Sequence, residues 1–229
     1  LKPEFSEGLQ GLAYSSGRSG LSPRLVVQAL DLTQKILRGT YRYSNGEEQI
    51  VLEDGKYVKI NFSSSGQQEC VWILNLLFYY LVQQKEILFI IEEPESHLFP
   101  ESQKYITELI ALVNNCGHSI VLTTHSPYVL GTLNNLLYAK TISPQARKEA
   151  NKIIRESLWL DYNAFDSWFV KNGTIENCMD ADIHMIQNEK IDEISKVINE
   201  DFERLLEMKK NNRKTHSKSI EKSIVKSYD

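Results

Sequence analysis

The segment Ile87-Leu88-Phe89-Ile90-Ile91-Glu92-Glu93-Pro94-Glu95 sets two adjacent carboxylates directly after a five-residue apolar run. A short apolar run of this kind reads as a strand of a parallel sheet. Parallel sheets present their ligand sites at the carboxyl ends of the strands, so both acids arrive where chemistry occurs. Glu92 can hold Mg²⁺ directly or through its waters, and Glu93 can orient and deprotonate an attacking water. The competing reading is a strand that stops at a solvated acidic turn.

Two further segments bear on that choice. About 25 residues upstream, Phe62-Ser63-Ser64-Ser65-Gly66-Gln67-Gln68-Glu69 precedes a helical pattern. Small residues opening a helix present N–H groups and hydroxyls to an anion. An ordinary serine N-cap accounts for the same residues. Downstream, Val121-Leu122-Thr123-Thr124-His125-Ser126-Pro127 ends a strand-like run in a histidine. His125 there can sense a terminal phosphate, or serve as a core or capping histidine.

The elements that position these residues follow from turn and periodicity signals. Residues 1–22, with Gly8, Gly11, Gly17 and Gly20, read as loop. Pro23 suits the first turn of a helix running to about Arg38. Strand-like runs at Thr40–Tyr43, Gln49–Leu52 and Tyr57–Ile60 are separated by Asn45-Gly46 and Asp54-Gly55, both hairpin turns, which predicts a small antiparallel sheet. A buried helix is expected over Ser65–Gln84, then strand Ile87–Ile91, helix Pro100–Asn115, strand Ser119–Thr124 and a helix from Ser126-Pro127 to about Leu137. That alternation implies an α/β fold with parallel pairing and right-handed crossovers, both strands being buried and central. Beyond Tyr138 the expectations are a helix over Ser143–Ser157, a strand over Asn163–Val170, a turn at Asn172-Gly173 and an amphipathic helix over Ile183–Met208. Core packing is the expected role of that helix, with partner binding as the alternative. The implied organisation is a core over 1–140, an α/β extension over 141–208 and a polar, disordered tail over 209–229.

Composition narrows the class. The 229 residues are 41% hydrophobic and carry a formal net charge of −4, so overall charge gives no reason to expect nucleic-acid binding. The tail from Lys209 to Lys226 nevertheless holds seven Lys/Arg against one acid, which leaves DNA contact open as the alternative to a solvated tail. No run of about 18 apolar residues exists to span a membrane. Cys70, Cys116 and Cys178 are widely spaced and odd in number, which argues against a disulfide framework and points to the cytoplasm.

Taken together in this order, the three segments resemble the ABC-type ATPases, in particular the soluble branch of chromosome-structure, DNA-repair and overcoming-lysogenization-defect-like ATPases. Ser63–Gln67 resembles the signature motif, with serine in place of the usual first leucine and first glycine. Ile87–Glu93 resembles Walker B, with Glu92 where the metal-side aspartate is usual and Glu93 as catalytic carboxylate. Glu95-Ser96-His97-Leu98 resembles the D-loop, and His125 falls on the switch histidine. Ala13–Arg18 is similar to a segment that precedes the signature region in these proteins.

The resemblance implies an ABC ATPase core of the P-loop type, using ATP and Mg²⁺, in a head-to-tail dimer or higher homo-oligomer. Ser64, Ser65, Gly66, Gln67 and Ser96 would bind nucleotide, Ser64 and Gly66 touching the γ-phosphate of ATP held by the partner copy. Glu93 would activate water, His125 would bind the γ-phosphate in cis, and Glu92 would support the metal. No GxxxxGK[ST] run occurs in the 229 residues; Gly17-Arg18-Ser19-Gly20 lacks both spacing and lysine. The expectation is therefore a core lacking its Walker A lobe, that lobe lying upstream of Leu1 or on another chain. Asp161, Asp166, Asp180 and Asp182 are scattered and form no Toprim-like cluster. The chain looks more like the ATPases of phage-defence modules, which pair with a separate nuclease or toxin. A catalytically inactive ABC-like scaffold, or a DNA-binding repair ATPase, is the alternative.

Overall fold

The computed structural model describes residues 22–83, 86–187 and 196–209. The described residues up to Gln187 form one compact unit, and those from 196 onward belong to a second. The expected loop over 1–22 and the polar tail fall almost wholly outside the described residues.

Helix α1 (Pro23–Leu37) starts where the sequence signals it: the Ser22 side chain accepts from Leu25 N–H and Pro23 occupies the first turn. It buries Val26, Ala29, Leu32, Ile36 and Leu37 on one face. Strands β1 (Thr40–Ser44), β2 (Glu47–Val51) and β3 (Tyr57–Lys59) form an antiparallel sheet in that order. Its first turn is Asn45-Gly46, with φ of 53° and 79°, the left-handed pair that a two-residue hairpin requires. A 3₁₀ turn over Ile60–Phe62 leads into α2 (Ser65–Gln83).

The second sheet is parallel. β4 (Leu88–Glu92) pairs with β5 (Ser119–Thr123), Glu92 opposite Thr123. The crossover is α3 (Pro100–Asn115), and α4 (Pro127–Thr141) follows β5. Helix α3 is the centre of the unit, packing against α1 and α4. Ile106, Leu109, Leu112 and Val113 of α3 and Leu136 and Leu137 of α4 are fully enclosed. Burial of such side chains contributes about 1.5–3 kcal/mol each.

The strands are not buried on both sides as expected. Phe89 and Ile91 face the core, but Leu88 is 57% exposed, Ile90 72% and Val121 51%. Ile90 is the register partner of Val121, so these side chains share one face of the sheet. No described element covers that face.

Three further expectations are corrected. The helix predicted over Ser143–Ser157 shrinks to α5 (Arg147–Ile153) and a 3₁₀ turn over Glu156–Leu158. There the Asn151 side chain takes the Glu156 N–H at 2.7 Å, and Ile154 O accepts from Trp159 Nε1, ending the helical ladder. The strand predicted over Asn163–Val170 starts only at Trp168, because Asp161 caps a 3₁₀ turn over Tyr162–Ala164. β6 (Trp168–Lys171) and β7 (Thr174–Asn177) form the hairpin around Asn172-Gly173. The helix predicted over Ile183–Met208 is replaced at its start by a turn and by β9 (Met185–Ile186), which pairs with β8 (Met179–Asp180). The Asp180 carboxylate accepts from Asp182 N–H and Ile183 N–H, and this side-chain turn outcompetes helix there. The second unit contains a helix over 196–209, which carries Val197, Ile198, Phe202 and Leu205.

Candidate functional site

Glu93 sits one residue past the end of β4. Its N–H donates to Thr123 O at 3.0 Å, extending the parallel ladder by one bond. Its φ is +42°, a left-handed conformation that costs a non-glycine residue energy and concentrates at functional sites. The bend turns the Glu93 carboxylate toward two other predicted site residues. Glu93 Oε1 lies 3.3 Å from His125 Nε2, and Ser96 Oγ donates to Glu93 Oε2 at 3.2 Å. The Glu93 carboxylate is thus held at both oxygens by side chains that arrive from different loops. His125 is 89% exposed, so it is neither a core histidine nor the end of a buried strand; it stands open to a ligand.

Glu92, Glu93 and Ser96 line a cleft of about 290 Å³ whose opposite wall is the early part of α2, with Glu69, Cys70, Trp72 and Ile73. Burial pushes the Cys70 thiol up to about 12, so it stays an unreactive wall.

The serine-rich turn has a different geometry. Ser64 Oγ accepts from Gln67 N–H at 3.3 Å, while Gln67 Oε1 accepts from Ser64 N–H at 3.2 Å. This reciprocal pair is a capping box at the start of α2. Gln67 Nε2 also donates to Leu37 O at 2.7 Å, fastening the turn to the end of α1. Ser65 is exposed at the mouth of the helix. Gly66 is buried because the loop after β4 crosses it: a Cβ there would lie 2.5 Å from His97 O. Glu93, Ser96 and His125 therefore form one cluster, and Ser64 to Gln67 form a second feature that touches it through the backbone at Gly66 and His97.

Sequence reasoning placed Glu95 in the D-loop-like segment and Thr124 beside His125 but gave neither a role. Glu95 is buried and accepts from the Thr124 hydroxyl and from His125 N–H. Its signal was a third acid among loop residues; its partner, 29 positions away, is not legible in one sequence.

Residues 23–130 match the family model described as an AAA ATPase domain. The match supports an ABC/AAA-type ATPase. Every predicted site residue lies inside the matched segment, and β6 to β9 lie beyond it. Over 98 residues the chain is 31% identical to the cytochrome c biogenesis ATP-binding export protein CcmA of Bartonella quintana (strain Toulouse), covering 43% of this chain and 45% of that protein. The chain thus spans less than half the length of this curated relative. A solved structure from work on ATP-driven dimerization and DNA-stimulated activation of SMC ATPases aligns with 76% of this chain and 91% of its own, at a TM-score of 0.44 and 10% identity. No described helix is long and apolar enough to cross a membrane.

Proposed function

We propose that this chain supplies the water-activating half of an ATP-hydrolysing site in a head-to-tail ABC-type dimer. The observation that carries the reading is the Glu93 carboxylate at the end of a parallel strand, held by Ser96 on one oxygen and within 3.3 Å of His125 on the other. A carboxylate so placed accepts a proton from water as the water attacks the γ-phosphate. His125 binds that phosphate as a donor and keeps the base aligned. Ser65 and the first N–H groups of α2 face the nucleotide of the second copy. The match to an ATPase domain and to a protein named for ATP binding supports the choice of nucleotide.

Mg²⁺ fits the acids present. Among the described residues no three His, Cys, Asp or Glu side chains converge as a complete metal cage. Magnesium needs none, because it binds through one or two carboxylates with phosphate oxygens and water completing its shell. Glu92 is the residue that would hold it. When bound, the ion neutralises developing phosphate charge.

The phosphate-cradling loop is supplied from outside these 229 residues. The exposed face of Leu88, Ile90 and Val121 supports this, because parallel sheets are stable with both faces covered. On this reading ATP binding closes the dimer and hydrolysis opens it, a switch acting on a partner nuclease or toxin in phage defence. Glu93→Gln in the full-length protein tests the central assignment. Turnover should fall by about 10²–10⁴-fold while ATP stays bound and the dimer persists. Unchanged turnover rejects the role given to Glu93.

A further inference from the structure

Glu95 is the one acid of the loop after β4 that is buried, at 7% exposure. Its Oε2 is shut off from solvent and has no hydrogen-bond partner among the described residues. A buried carboxylate with one unpaired oxygen is costly, so the bonds made by the other oxygen must matter to the fold or to the site. Those bonds all run to the loop that carries His125. Glu95 Oε1 accepts from the Thr124 hydroxyl and, at 3.3 Å, from His125 N–H.

The connection continues as a closed circuit. Thr124 Oγ1 accepts from Ser126 N–H at 3.0 Å. Ser126 Oγ donates to Gln103 Oε1 at 2.6 Å, and Gln103 Nε2 donates to Leu98 O at 2.9 Å. Leu98 N–H donates back to Glu95 O at 3.0 Å. The ring passes through the loop after β4, the first turn of α3 and the loop after β5. It fixes the two loops against each other immediately behind Glu93 and His125.

We infer that Glu95 is a positioning residue that sets the Glu93–His125 distance by tying the two loops together. The inference rests on the ATPase reading for its kinetic consequence and on the hydrogen-bond ring alone for its structural one. Glu93 and His125 are both substantially exposed, and among the described residues Ser96 is the one further side chain bonded to either of them. The separation is therefore set by what ties the two segments together: Glu93 N–H joins Thr123 O at the strand end, and beyond the strands the Glu95 carboxylate bonds Thr124 and the His125 N–H. The requirement is for an acceptor at Oε1 rather than for charge, so glutamine can substitute and leucine cannot.

The test uses the full-length protein with Glu95→Leu, Glu95→Gln, Thr124→Val and the Glu95→Leu/Thr124→Val pair. In Glu95→Leu, kcat should fall about 10–100-fold, the scale of a displacement near 1 Å. The KM for ATP should stay within about threefold, since no residue given a nucleotide contact is substituted and the displaced His125 is one contact among several. Glu95→Gln should recover most of the rate. Thr124→Val should reproduce the loss, and the pair should be no worse than the poorer single variant, because both break one link. A second readout needs no turnover: hydrogen exchange at the His125 amide should accelerate roughly tenfold or more in Glu95→Leu, and stay slow in Glu95→Gln, at matched global stability. Should Glu95→Leu fail to fold, Thr124→Val carries both measurements. Unchanged His125 exchange in Glu95→Leu and Thr124→Val overturns the inference, as does a raised KM with kcat intact. If the unmodified protein turns over no ATP, the ATPase reading fails, and the exchange measurement still decides the role of Glu95.

Discussion

Gly66 separates a structural from a ligand-binding account of the serine-rich turn. A Cβ at Gly66 would sit 2.5 Å from His97 O, 2.9 Å from His97 C and 3.2 Å from Leu98 Cδ2. Non-bonded carbons make their best contact at about 3.5–4.0 Å, so the nearest atom is roughly 1 Å too close. That atom is backbone, and it cannot swing away. His97 is already at φ +59°, and Leu98 is pinned by Glu95 O and by Gln103 Nε2. Overpacking against a rigid neighbour costs about 1–3 kcal/mol. Alanine recovers up to about 1 kcal/mol of helix propensity over glycine, less at a helix start. The expected net loss for Gly66→Ala is about 1–2 kcal/mol. Gly131, inside α4, is the control: an added Cβ meets nothing within 4 Å, so Gly131→Ala should stabilise by about 0.5–1 kcal/mol. Urea unfolding of both variants measures the pair, using midpoints at constant slope. The same displacement moves the loop that carries Ser96, so Gly66→Ala should also slow turnover. If Gly66→Ala is as stable as the unmodified chain, the crossing loop yields easily and the steric account is wrong. Lost turnover at full stability would then leave phosphate contact as the reason for glycine.

His118 and Asn134 give two further predictions. Burial holds the His118 imidazole below its ordinary value of 6.5, with Glu86 opposing, and its Nδ1 has no partner among the described residues. The folded state therefore binds this proton more weakly than the unfolded chain, so its contribution is full above about pH 6.5 and is lost as pH falls through the depressed folded value. Urea midpoints should drop on acidification from pH 7 to 5, less steeply in His118→Phe; an identical slope in the variant refutes the assignment. Asn134, also buried, accepts from Ile186 N–H at 2.6 Å and donates to Ile186 O at 2.9 Å, holding β9 against α4. Asn134→Ala strands both backbone groups and should cost about 2–4 kcal/mol, with faster proteolysis within residues 179–187.

What the sequence made legible was punctuation. Ser22-Pro23, Pro100 and Ser126-Pro127 open helices, and Asn45-Gly46 and Asn172-Gly173 close hairpins, because each signal is satisfied within a few residues. The places where reading failed are those where a side chain competes with the backbone ladder. Asn151, Asp161 and Asp180 each divert a backbone N–H into a local turn, and periodicity carries no sign of it. Glu92, Glu93 and His125 were legible as residue types at strand ends, but the left-handed bend at Glu93 was not. That bend is what brings the Glu93 carboxylate to a histidine on the next loop.

The unpaired face of β4 and β5 connects these observations to the chemistry. Leu88, Ile90 and Glu92 alternate with Phe89 and Ile91, so Glu92 shares the exposed face. Glu93 escapes that alternation only through its positive φ. A layer that covers Leu88, Ile90 and Val121 would therefore approach Glu92 from the same side, whereas Glu93 is already turned toward Ser96 and His125. The two carboxylates are adjacent in sequence yet prepared for different partners. Glu92 awaits whatever completes the sheet face, and Glu93 is prealigned by this chain alone. On the proposed reading, one strand end would then serve a metal with its first acid and water with its second, the two carboxylates lining one cleft but turned to different neighbours.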